Sequence, residues 1–133
     1  MKTSIFEKKP VPFIPVLLLL FAACPSTDNQ DVSFKDEILP VFQAQCVRCH
    51  NSEAASFNNL NLSSYESLIN GNSLHQNDLI IPGYPAQSLL YLSVTNEPPE
   101  IIGYQMPKDG PPYLRDIEVQ SIEDWIFQGA KNN

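Results

Sequence analysis

Apolar residues recur at helical spacing in two widely separated stretches of the chain. Phe34, Ile38, Val41 and Phe42 fall at i, i+4, i+7 and i+8, so one face of a helix is expected over 33–45. Ser33 can cap its first turn, where Asp36 and Glu37 suit the positive end of the helix dipole. Pro40 conflicts with that pattern: it has no amide hydrogen and its ring crowds the Asp36 carbonyl, which predicts a kink. Val119, Ile122 and Ile126 share a face of a second helix, expected over 116–128, with Trp125 on its border as a core anchor. Gly129 is placed to end it.

The pattern between these helices is more broken. Leu60-Asn61-Leu62 alternates and predicts a short extended piece. Ser63 or Ser64 can cap a small helix over 65–69, closed by Asn70-Gly71. Ile80-Ile81-Pro82-Gly83 makes a turn, and Pro85 starts a helix that buries Leu89, Leu90 and Val94. Residues 96–112 hold five prolines and two glycines, which excludes a regular helix or a central strand and predicts a stiff loop. The chain has 133 residues, 12 of them proline; the length suits one domain, and the prolines favour short helices over a long-helix bundle.

The first residues read as an export signal. Lys2, Lys8 and Lys9 give a basic start, 16–21 an apolar heart, and Ala22-Ala23 are small residues before Cys24. The apolar run is far shorter than the ~20 residues a spanning helix needs. Small residues followed by cysteine resemble a lipobox, although Phe21 stands where leucine is usual. The expected organisation is therefore a lipoprotein signal over 1–23, lipidation at Cys24, a polar tether over 24–32 and a folded domain over 33–131.

Chemistry concentrates at Cys46-Val47-Arg48-Cys49-His50, the attachment signature of a c-type haem. Two thiols separated by two residues reach two vinyl groups on one porphyrin, and the following histidine is carried beneath the iron as an axial ligand. The chain has three cysteines; with Cys24 lipidated and Cys46 and Cys49 on one haem c, none is left for a disulfide. For the remaining iron position the candidates are Met106, the only methionine after Met1, and His75. Met106 is favoured because a proline-bracketed loop presents it, whereas His75 lies in a polar stretch and reads as a solvated histidine. Arg48 reads first as a solvated side chain near the haem edge, with a propionate or a partner as the alternative contact. Glu97, Glu100 and Asp109 read as a solvated loop face.

Several segments resemble single-haem cytochrome c domains, above all those of the planctomycete type: Ile38-Leu39-Pro40-Val41-Phe42, the Cys46–His50 motif, Leu60-Asn61-Leu62, Tyr65, Ile81-Pro82-Gly83, Ser88-Leu89-Leu90, Met106-Pro107 and Trp125-Ile126 before Gly129-Ala130. The resemblance implies a small all-α cytochrome c fold, with about four short helices and proline-rich loops around one covalent haem. The first and last helices would cross, and a methionine loop would cover the far haem face. It assigns the covalent bonds to Cys46 and Cys49 and the axial positions to His50 and Met106. Two departures stand out. Arg115 replaces the usual Ser or Thr cap of the last helix, a role expected to pass to Asp116, and the segment around Gly71-Asn72-Ser73 lacks the usual paired glycines.

Charge narrows the set of partners. The chain carries 8 basic and 15 acidic residues; removal of 1–23 takes three lysines and one glutamate, leaving 5 and 14, a formal −9. So acidic a body is a poor binder of nucleic acid or anionic lipid; it reads first as a route to solubility, and it also suits a redox protein with a basic docking surface. The expected role is an electron carrier, no enzyme in its own right, held by its lipid on the periplasmic side of a bacterial membrane, the outer one by preference because Pro25 follows Cys24. The alternatives are a haem sensor or peroxidase-like accessory domain with an open sixth position, a haem-free dithiol module, and a zinc site in which His75 completes Cys46, Cys49 and His50.

Overall fold

The computed structural model describes residues 30–53 and 58–133. The export signal, Cys24 and most of the tether fall outside them. Among the described residues the regular structure is entirely helical, which is the expected fold class. A π-helical turn, Phe34–Ile38, runs directly into α1, Leu39–Gln45. Then come α2, Tyr65–Ile69; α3, Gln76–Leu79; a 3-10 turn, Pro85–Gln87; α4, Leu89–Val94; and α5, Asp116–Phe127. None of these helices is long and apolar enough to cross a membrane.

The Pro40 conflict is resolved by winding. The Ile38 amide donates to the Ser33 carbonyl and the Leu39 amide to Phe34, both five residues back. The turn is thus widened just before the residue that has no amide to give. Ser33 caps as expected: its hydroxyl accepts from the Asp36 amide at 3.1 Å, and the Glu37 carboxylate accepts from the Ser33 amide at 2.9 Å.

The core lies where the π turn meets α5. Ile38, Phe42, Ile122, Trp125 and Ile126 are buried, and Phe34, Tyr65 and Trp125 form an aromatic cluster with centroid separations of 5.2 Å for Phe34–Tyr65 and 5.4 Å for Phe34–Trp125. The last residues fold back onto this corner. Asn133 accepts from the Phe34 amide through its side chain and from the Lys35 amide through its carbonyl, each at 3.0 Å, so it supplies acceptors for open donors of the first turn. Gln128 accepts from the Val32 amide at 2.7 Å, and Lys131 pairs with Asp31 at 2.6 Å. Gly129 ends α5 at φ +100°, where a glycine fits without strain.

Three local expectations need correction. Arg115, not Asp116, occupies the N-cap of α5; the Glu118 carboxylate accepts from the Arg115 amide at 2.8 Å and from its guanidinium at 2.9 Å. The helix expected from Pro85 is two pieces, separated at the fully buried Ser88. The Ser88 hydroxyl accepts from the Ile81 amide and donates to the Tyr84 carbonyl, so it serves the turn before it. The polar stretch around His75 is also more ordered than expected, since α3 begins there.

Gly71 closes α2 without paired glycines. A β-carbon there would meet the backbone carbonyl oxygen of Ser67, which cannot swing aside. Gly71→Ala is therefore expected to cost about 1–3 kcal/mol. A urea denaturation midpoint at the wild-type value would show that this turn has room after all.

Candidate functional site

The Cys46–His50 segment continues the winding of α1. The amides of Cys46 and Val47 both donate to the Phe42 carbonyl, at 2.8 and 2.9 Å, and those of Cys49 and His50 both donate to Cys46, at 3.0 and 2.9 Å. One helical turn therefore carries Cys46, Cys49 and His50 at i, i+3 and i+4, the spacing that puts side chains on one side. The turn is fixed from outside as well: the His50 carbonyl accepts from Leu62 at 2.9 Å, and the Asn51 side chain donates to the Val47 carbonyl at 2.9 Å.

These three side chains line a cavity of about 470 Å³. Leu60, Leu62, Leu79, Leu89, Leu90, Val94 and Ile102 make its walls apolar, and Met106 lines it from the proline-rich loop. The Met106 position is held by backbone: its amide donates to the Ser93 carbonyl of α4 at 2.7 Å, and the neighbouring Gln105 side chain donates to Val94 at 3.0 Å. The next residue, Pro107, is buried. The loop is thus stiff, as its composition predicts, and hydrogen bonds give that stiffness a direction.

Burial sets the protonation of the key groups. Desolvation pushes the Cys46 thiol up to about 11, against the downward pull of Arg48 and with small upward pushes from Cys49 and Glu118. Burial also lowers His50 below the ordinary imidazole value, which keeps it in the neutral form that binds metals. Cys49, by contrast, is exposed.

Three residues differ from their sequence reading. His75 is half-buried and lines the same cavity rather than facing solvent. The signal that could have placed it is Leu79, whose burial draws α3 and its preceding residue inward. Arg48 and Asp109 are neither of them simply solvated; they pair with each other at 2.5 Å, and because both line the cavity while staying about half exposed, they mark its mouth. Nothing local in the sequence announces that pair, because its members are 61 residues apart. Among the described residues, no cluster of three or more His, Cys, Asp or Glu side chains is arranged to hold a bare metal ion, so a zinc site gains no support.

The donor set and the shape suit one flat, largely apolar macrocycle. Two thiols stand at attachment spacing, an imidazole and a thioether are available for axial ligation, and the walls are hydrocarbon. Comparison with known families agrees: the model for Planctomycete cytochrome C matches residues 46–110, from the first cysteine of the motif to just past Met106 and Asp109. No curated protein and no solved structure matches the chain.

Proposed function

We propose, from the match of residues 46–110 to the planctomycete cytochrome C family, that the chain is a single-haem electron carrier, not an enzyme in its own right. Cys46 and Cys49 would hold the haem through their sulfurs, and His50 and Met106 would ligate its iron. When bound, the group supplies an iron that exchanges one electron between its ferric and ferrous states. The remaining work belongs to the chain. The turn that follows α1 presents two sulfurs and an imidazole together, and the Ser93–Met106 bond holds a thioether at the cavity wall. A methionine so fixed favours electron transfer over small-molecule chemistry, because it fills the position a substrate would need.

The observation that carries this reading is that Cys46, Cys49, His50 and Met106 line one apolar cavity although they come from segments about 60 residues apart in the chain. The same reading places the protein outside the cytoplasm, anchored by lipid on Cys24 after loss of 1–23, and gives its acidic body a redox partner with a basic docking surface.

Covalent attachment is directly measurable. Protein matured in a host competent for haem c assembly should show, by intact-mass spectrometry, the peptide plus one haem, and should retain haem staining on a denaturing gel. Cys46→Ala combined with Cys49→Ala should lose both signals. Bare peptide mass from the wild-type chain would end the proposal.

A further inference from the structure

Met106 is fastened to the fold from two sides. On its N-terminal side Gln105 and the Met106 amide bond to α4. On its C-terminal side, three residues on, Asp109 pairs with Arg48. Arg48 sits inside the attachment motif, between Cys46 and Cys49 and two residues before His50. This ion pair therefore joins the segment that carries one proposed axial ligand to the segment that carries the other. Both members line the cavity mouth, and both side chains are about half exposed, 53% and 60%. Their surroundings make the contact selective. Only five basic residues follow position 23, and two of them, Arg48 and Lys108, line this cavity. Lys108 lies over the Tyr104 ring, 4.5 Å from its centroid, which leaves Arg48 as the partner of Asp109.

We propose that Arg48 and Asp109 are positioning residues: an electrostatic clasp across the cavity mouth that holds the Met106 loop closed and limits how often the methionine leaves the iron. The inference rests on the His50–Met106 ligation proposed above. A clasp of this kind acts on lability rather than on the bound state. An exposed ion pair is a weak contact that salt screens, so its loss should open the loop more often without unfolding the domain.

The test uses the ferric holoprotein and uncharged imidazole, with capture followed as loss of the near-infrared methionine–iron band. A neutral probe is not steered by the charges that are removed. Arg48→Gln and Asp109→Asn should each speed capture by about 1.5- to 5-fold. The double variant should be no faster than either single one, because both remove the same contact. The exchanged pair, Arg48→Asp with Asp109→Arg, should return the rate toward the wild-type value. High salt should speed the wild type and leave the double variant unmoved. Single variants at the wild-type rate overturn the clasp, as does a double variant whose factor is the product of the two. A wild-type ferric protein with no methionine–iron band before imidazole is added overturns the ligation and the clasp together; a normal band with unaltered rates overturns the clasp alone.

Discussion

Trp125→Ala is expected to remove about 3–5 kcal/mol of folding free energy, a large part of the ~5–15 kcal/mol that a domain of this size possesses. Trp125 is fully buried and touches the aromatic rings of both Phe34 and Tyr65. Its indole N–H donates to the Lys131 carbonyl at 2.9 Å, so it also holds down the last residues of the chain. Truncation would leave a cavity between the π turn and α5, the two elements that must meet for the domain to close. A second variant separates these contributions. Trp125→Phe keeps most of the buried ring but loses the hydrogen bond, and should cost less than half as much, on the order of 1–2 kcal/mol. Urea or thermal denaturation of the two variants measures both; an alanine variant within 1 kcal/mol of wild type, by rough standards of core truncation, would show that Trp125 is not the keystone of this packing.

Met106→Ala should have the largest effect on redox behaviour. In the proposed site the thioether is the softest ligand available to the iron and favours the ferrous state. Without it the near-infrared methionine band should vanish, and the reduction potential should fall by on the order of 0.1 V, within the ~0.8 V range that axial ligands command. His75 gives the experiment a second layer, because it lines the same cavity. A Met106→Ala protein whose spectrum shows two nitrogen ligands, converted to an open or water-bound form by His75→Ala, would mean that the histidine can fill the vacated position. An unchanged spectrum in the Met106→Ala protein would mean that methionine was never bound. Folding is a minor concern here, since the loop is held to α4 through the Met106 amide, which the substitution retains.

The two end helices were the most legible part of the fold, because their burial is written in local periodicity. Phe34, Ile38 and Phe42 are buried as the spacing predicts, as are Ile122 and Ile126. The haem motif was legible for a chemical reason: its spacing is set by the porphyrin, not by the rest of the protein. Elements decided by tertiary contacts were not. The α3 helix has four residues and no strong local signal, so it exists through the burial of Leu79. The break at Ser88 depends on a hydroxyl serving a turn seven residues earlier. At α5 an acidic first turn is consistent with Asp116 as the cap, yet the Glu118 carboxylate reaches back to the Arg115 amide and fixes the boundary one residue earlier. Arg48 and Asp109 could not have been paired from sequence, since like many surface charges each also had an ordinary solvated reading.

The meeting of Asp31, Val32 and Phe34 with Gln128, Lys131 and Asn133 makes the described chain a nearly closed ring with its seam at one corner. No seam residue lines the cavity, whose described lining lies between Gln45 and Asp109 in the chain. A linker to an electrode, a bead or a neighbouring protein that leaves the fold at Asp31 therefore starts beside one that leaves it at Lys131. In both cases the molecule hangs from one point, and the mouth guarded by Arg48 and Asp109 stays clear of the attachment.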